Sequence, residues 1–191
     1  SAPTGWTLVV IWLTAFGATR TLPAIEPVVH DDRRVTFRID APKAQQIEID
    51  VKGRTSRAND DQPFLMAKDE RGIWTYTSEP LDAGFHYYFV FVDGYRVADS
   101  SNPLYFGWQR PTNGIEVPDQ QVTFYDPQSV PRGEIHIRPY HSTITRAWRE
   151  VYVYTPPGYD QNHDTSYPVL YLQHGAGENQ TSWVRQGRAH V

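Results

Sequence analysis

The chain has 191 residues, enough for one large domain or one and a half ordinary ones, and 39% of them are hydrophobic, so it reads as folded and not disordered. A formal net charge of −4, with mixed signs and no lysine- or arginine-rich block, lacks the electrostatic footprint of a nucleic-acid binder or of a protein held on an anionic membrane surface. The absence of cysteine excludes disulfides, thiolate metal sites and a cysteine nucleophile, and leaves serine chemistry open.

Residues 1–22 are expected to be the remnant of an export signal. The stretch 6–17 is largely apolar, too short to span a bilayer and of the size of a signal-peptide core, with small residues around Ala15-Phe16-Gly17 as a cleavage point. Export would make the protein extracellular or periplasmic. No basic residue precedes Arg20 and the chain starts with serine, so a buried strand is the competing expectation.

From 23 to 118 the text becomes short alternating strands. Val35, Phe37 and Ile39 alternate with Thr36, Arg38 and Asp40, and Ile47, Ile49 and Val51 with Glu48 and Asp50, the period-two signature of half-buried strands. Trp74 and Tyr76 begin another strand, with Trp74 a core residue by its place in the alternation. His86 to Val92 is followed by Asp93-Gly94, a type I′ hairpin signal, and the return strand Tyr95 to Ala98. Gly, Pro and Asp punctuate the strands at roughly ten-residue intervals and no helical period interrupts them, which predicts an antiparallel β-sandwich. Aromatic residues make up 14% of the chain, a composition that suits both sheet packing and stacking on sugar rings.

Residues 119–131 are polar and proline-flanked and read as a linker. In 132–191, Glu134 to Ile137 and Glu150 to Tyr154 are strand candidates, the latter closed by Pro156-Pro157, which cannot donate to a ladder. The continuous apolar run 169–172 predicts a strand buried on both faces, and Trp183 onward a first covering helix.

The segment Arg149-Glu150-Val151-Tyr152-Val153-Tyr154-Thr155-Pro156-Pro157-Gly158-Tyr159-Asp160, then Tyr167-Pro168-Val169-Leu170-Tyr171-Leu172-Gln173-His174-Gly175 with Gly177-Glu178, closely resembles carbohydrate esterase family 1, whose members include feruloyl and acetyl xylan esterases. That resemblance implies the start of an α/β-hydrolase domain, a Ser-His-Asp/Glu triad, no cofactor, and as partner a xylan-type plant cell-wall polysaccharide or its hydroxycinnamoyl or acetyl esters. Val28 to Ala41, Trp74-Thr75, Phe91 to Gly94 and Asp99-Ser100-Ser101-Asn102-Pro103 resemble carbohydrate-binding module family 48, an immunoglobulin-like domain found before some of these esterases. The expected fold class is therefore an all-β immunoglobulin-like sandwich followed by the incomplete start of an α/β-hydrolase domain. No serine here sits in G-x-S-x-G, so the nucleophile and the rest of the triad are expected beyond Val191 and the chain alone is expected to be inactive.

By the same resemblance, Gly175, Ala176 and Gly177 are candidates for a backbone oxyanion donor, against the alternative of a plain turn that uses glycine for positive φ. His174 precedes the absent serine, whereas the triad histidine comes last in this fold, so a loop-shaping role is assigned to it. Glu178 either braces the loop by accepting backbone hydrogen bonds or is merely solvated. Tyr105, Phe106 and Trp108 cluster in a stretch that reads as a loop and are candidates for carbohydrate binding, with packing against the neighbouring domain as the alternative. The remaining histidines have no metal-ligand spacing, so no metal site is expected. The reading from a different functional class is a non-catalytic carbohydrate-binding or scaffolding module.

Overall fold

The computed structural model describes residues 26–53, 62–122, 124, 126–161 and 164–190. The export-signal expectation for 1–22 lies outside the described residues.

Two antiparallel sheets form the sandwich. The first holds β1 (Val28–Val29), β2 (Val35–Asp40), β6 (Ile73–Thr77) and β5 (Ala67–Lys68), paired in the order β1-β2-β6-β5. The second runs β4 (Phe64–Leu65), β3 (Ile47–Val51), β7 (Gly84–Val92), β10 (Arg110–Val117) and β9 (Leu104–Gly107), with β8 (Tyr95–Val97) pairing β7 beside it. Between β4 and β5 the chain passes from one sheet to the other at Met66, which is buried and donates its N–H to Ile47 O at 2.8 Å. Such a corner lets one chain serve both layers.

The alternation seen in the sequence decides what lies between the layers. Val35 and Phe37 from one sheet meet Ile47, Ile49, Val51, Tyr88, Val90, Ile115 and Val117 from the other, and Trp74 is buried among them as expected. Phe37 and Tyr88 touch across the layers with ring centroids 5.0 Å apart. The type I′ signal is realised: Asp93 and Gly94 have φ of 49° and 81°, and Asp93 Oδ1 accepts the N–H groups of Gln45 and Gln46 at 2.8 Å each. Strand β10 was not foreseen, because Pro111 and Gly114 blur its alternation. Pro111 is tolerated because β7 runs beside β10 only from Asn113 onward, so no β7 carbonyl awaits the missing N–H.

One buried polar group needs an account. The Asp99 side chain accepts from the Tyr88 hydroxyl at 2.7 Å, from Asn102 Nδ2 at 3.0 Å and from Ser101 N–H at 2.9 Å, while Asn113 exchanges two 2.8 Å bonds with the Asp99 backbone. The Asp-Ser-Ser-Asn segment is thereby tied to β7 and β10. Burial, reinforced by the Asp99 carboxylate, pushes the Tyr88 phenol far above its ordinary pKa.

Downstream, β11 (Glu134–Ser142) and β12 (Ala147–Thr155) form an antiparallel hairpin in register from Glu134↔Thr155 to Ser142↔Ala147, longer than the two strands expected there. A 3₁₀ turn follows at Tyr159–Gln161, and one short helix, α1, spans Ser182–Arg185. The strand expected at 169–172 is not formed. Val169, Leu170 and Tyr171 are 72%, 79% and 89% exposed, and no described segment runs beside them to complete a ladder. Among the described residues the hairpin pairs only with itself, so the apolar run has composition for a buried strand but no described neighbour to bury it. The covering helix is likewise reduced to the four residues of α1. Among the described residues no helix is long and apolar enough to cross a membrane.

Replacing Tyr88 by Phe keeps the ring and leaves buried Asp99 short of a donor. Urea unfolding should show a loss of about 1–3 kcal/mol, and a loss below about 0.5 kcal/mol would contradict the structural role given to this network.

Candidate functional site

On β7 the inward residues are Tyr88 and Val90, so strand alternation sends Phe85, Tyr87 and Phe89 to the outer face. There Phe85 meets Tyr87 and Tyr105 edge-on, at 5.0 and 4.8 Å between centroids. Two glycines make room for these rings. A Cβ on Gly107 would collide with the Tyr87 ring, and one on Gly114 with the Phe85 ring. Gly114, which blurred the pattern of β10, and Gly107 thus let aromatic side chains lie flat over neighbouring strands.

Residues 174–187 dock on this aromatic face. Gly175 O accepts Glu178 N–H at 3.1 Å, closing a tight turn whose Gly177 has φ of +82°, a conformation open to glycine at little cost. Glu178 divides its carboxylate: Oε2 accepts the N–H of Gly175 at 3.1 Å, and Oε1 accepts the Tyr87 O–H at 2.7 Å. Gln186 Nε2 donates to the same phenol oxygen at 2.7 Å and, at 3.3 Å, to Phe106 O. Gly177 O accepts Gln109 N–H at 2.7 Å. At the far end of the seam Arg185 lies over Tyr105, 5.3 Å from its centroid, and Arg188 faces Glu116 at 3.4 Å.

The hairpin that meets Gly177 is strained. Trp108 and Gln109 both carry positive φ, 55° and 61°, although neither is glycine, at a cost of roughly 1–2 kcal/mol per residue. Thr112 Oγ, which donates to Gly107 O at 2.9 Å, and the contact of Trp108 with Phe89 hold the turn. A Cβ on Gly177 would come within 3.3 Å of Trp108 Cα, a tight approach in addition to the positive φ.

The three loop candidates therefore differ. Gly175 N–H is committed to Glu178, while the N–H groups of Ala176 and Gly177 have no hydrogen-bond partner among the described residues. Only those two are open to an oxygen anion. His174 Nδ1 donates to Gly175 O at 2.9 Å, a local contact of the kind a loop-shaping residue makes. Glu178, on which the sequence offered no choice, both braces its own turn and reaches the sandwich.

The aromatic trio does not form one platform. Tyr105 and Phe106 lie in strand β9, not in a loop, and alternation puts them on opposite faces. Tyr105 is engaged by Phe85 and Arg185, and Phe106 offers its carbonyl to Gln186. Trp108 remains 51% exposed, with Lys52 Nζ 5.6 Å from its ring centre. A cavity of about 320 Å³ opens beside Glu116, Asp119 and Arg188 and is lined by none of residues 174–178. Among the described residues no group of three or more His, Asp or Glu side chains is placed to hold a metal.

Residues missed by sequence reasoning are Tyr87, Gln109 and Gln186. Each acts at a sequence distance of 68 or more from its partner or through a backbone group, which no local spacing reveals.

The chain is 38% identical over 168 residues to an endo-1,4-beta-xylanase/feruloyl esterase of Xylanibacter ruminicola, a match over 85% of this chain and 22% of that protein. It thus spans about a fifth of the length of this relative. No protein-family model matches. Among solved structures, a ferric enterobactin esterase from Salmonella typhimurium overlaps 70% of this chain and 44% of its own at 17% identity and a TM-score of 0.44. An enterochelin esterase from Shigella flexneri overlaps 66% and 41% at 16% identity and a TM-score of 0.48, and a pullulanase from Paenibacillus barengoltzii 55% and 16% at 20% identity and a TM-score of 0.37.

Burial, together with Glu178, pushes the Tyr87 phenol up to about 12, against the opposing donor from Gln186. Because the folded value lies above the ordinary 10.0, the stability that burial and the Glu178 contact tie to the neutral phenol is fully present below pH 10 and is lost as pH rises toward 12. The difference in tyrosinate absorbance between wild type and Tyr87→Phe should titrate near 12, and a midpoint near 10 would contradict the contact.

Proposed function

We propose that the chain is the N-terminal part of a secreted carboxylic ester hydrolase of carbohydrate esterase family 1, of the feruloyl or acetyl xylan esterase type. The sandwich is its accessory domain of carbohydrate-binding module family 48, and 132–191 opens its α/β-hydrolase domain. The observation that carries this reading is the 175–178 turn, which presents the Ala176 and Gly177 N–H groups unengaged between hydrogen bonds at Gly175 N–H and Gly177 O. The relative of Xylanibacter ruminicola supports the activity class, since its name combines xylanase with feruloyl esterase.

The chemistry follows from that turn. A serine Oγ supplied by the longer protein attacks the ester carbonyl carbon, and a histidine takes its proton. The carbonyl oxygen becomes an anion held by Ala176 and Gly177 N–H, each such donor being worth roughly 3 kcal/mol in the transition state. Collapse breaks the bond to the polysaccharide oxygen, which leaves as an alkoxide and takes the proton from the histidinium to become a hydroxyl. Water then cleaves the acyl-enzyme to free ferulic or acetic acid. Neither His174 nor Glu178 enters this relay, because both are spent on the shape of the turn. On the sugar side, Trp108 is the ring of the sequence-derived trio left open to polysaccharide.

The test is expression of the coding sequence extended downstream. It should contain G-x-S-x-G, and the product should hydrolyse methyl ferulate or release acetate from acetylated xylan. Serine-to-alanine replacement in that motif should abolish the activity, and the 191-residue chain should have none. Absence of the motif downstream, or turnover by the 191-residue chain, would remove the assignment.

A further inference from the structure

We infer that the sandwich is the mounting of the 175–178 turn and that Tyr87 is a positioning residue, acting through Glu178 on the Ala176 and Gly177 N–H groups. The catalytic consequence rests on the esterase reading above; the mounting itself does not.

A phenol has one hydrogen to give. Gln186 Nε2 can only donate, and at 2.7 Å it occupies a lone pair of the Tyr87 oxygen; of the two acceptors in reach of the phenol hydrogen, Glu178 Oε1 at 2.7 Å is far nearer than Phe106 O at 3.4 Å and takes it. The other carboxylate oxygen holds Gly175 N–H, so a single side chain joins the start of the turn to β7. The opposite end is held by Gln109 N–H on Gly177 O. Between these anchors lie the two unengaged N–H groups. Both anchors depend on special backbone: Gly107 clears the path of the Tyr87 ring, and the positive φ of Trp108 and Gln109 brings the donor to Gly177.

An oxyanion donor works only if it stands about 2.7–3.1 Å from where the charge forms, and a displacement of about 1 Å costs on the order of a hundredfold in rate. A turn fastened at one end only would leave that distance to chance. The sandwich is therefore part of the catalytic apparatus, not a detachable module that captures polysaccharide at a distance.

The test is Tyr87→Phe, which removes the hydroxyl and keeps the ring, read in two ways. In the 191-residue chain, amide exchange at Gly175 and Gln109 should quicken at least about tenfold while the β3 and β7 core amides stay unchanged. In the downstream-extended enzyme, kcat on methyl ferulate should fall at least about tenfold with KM within about twofold, and Glu178→Gln should do the same. Unchanged exchange at both amides overturns the mounting. Loosened amides with unchanged kcat overturn the positioning role. An extended wild-type enzyme that carries the serine motif and turns over no ester sinks the esterase reading, and the amide result still decides the mounting.

Discussion

A hydrogen bond between the Tyr87 hydroxyl and the Glu178 carboxylate, 91 residues apart in sequence, is the constraint from which the rest of the arrangement follows. Charge-assisted bonds of this kind are about twice as strong as neutral ones, and this one lies in a half-buried seam where water competes less well. The outer face of the larger sheet carries aromatic rings because a second segment lies on it. Gly107 and Gly114 stand where they do because those rings must lie flat. The two-residue hairpin loop at Trp108 and Gln109 needs positive φ at both residues, and in that conformation its tip meets Gly177.

The same contact changes the meaning of the glycines in the His-Gly loop. Structure favours glycine at 177 through its φ of +82° and, more mildly, through its close approach to Trp108. Neither reason is catalytic. On the proposed esterase reading, the loop acts instead through what is left unbonded, at Ala176 and Gly177, once Gly175 has been spent on Glu178. A turn that is both held and incompletely satisfied is what oxyanion stabilisation asks of a backbone, since donors fixed in advance need not reorganise as charge develops.

Much of the sandwich was legible in the sequence. Period-two alternation found β2 and β3, Asp93-Gly94 marked its hairpin, and Trp74 was placed in the core, because each of these is decided by neighbours close in the chain. Strand β10 escaped, since Pro111 and Gly114 are explained only by β7 and by the rings of its outer face. The continuous apolar run at 169–172 misled, because apolar composition says that a segment can be buried and not what will bury it. Of the candidate site, the loop and the ambiguity of Glu178 were visible. Tyr87 and Gln186 were not, because a partner 91 or 99 residues away leaves no mark in local spacing. The trio Tyr105, Phe106 and Trp108 was noticed for the right composition and given the wrong geometry, because a strand turns adjacent side chains to opposite faces.

The most direct measurement is a double-mutant cycle on Tyr87→Phe and Glu178→Gln, followed by urea unfolding of the whole chain. If the two side chains form the joint described, their coupling should come out at about 1–3 kcal/mol. Additive effects, with coupling indistinguishable from zero, would mean that the sandwich and the turn merely touch.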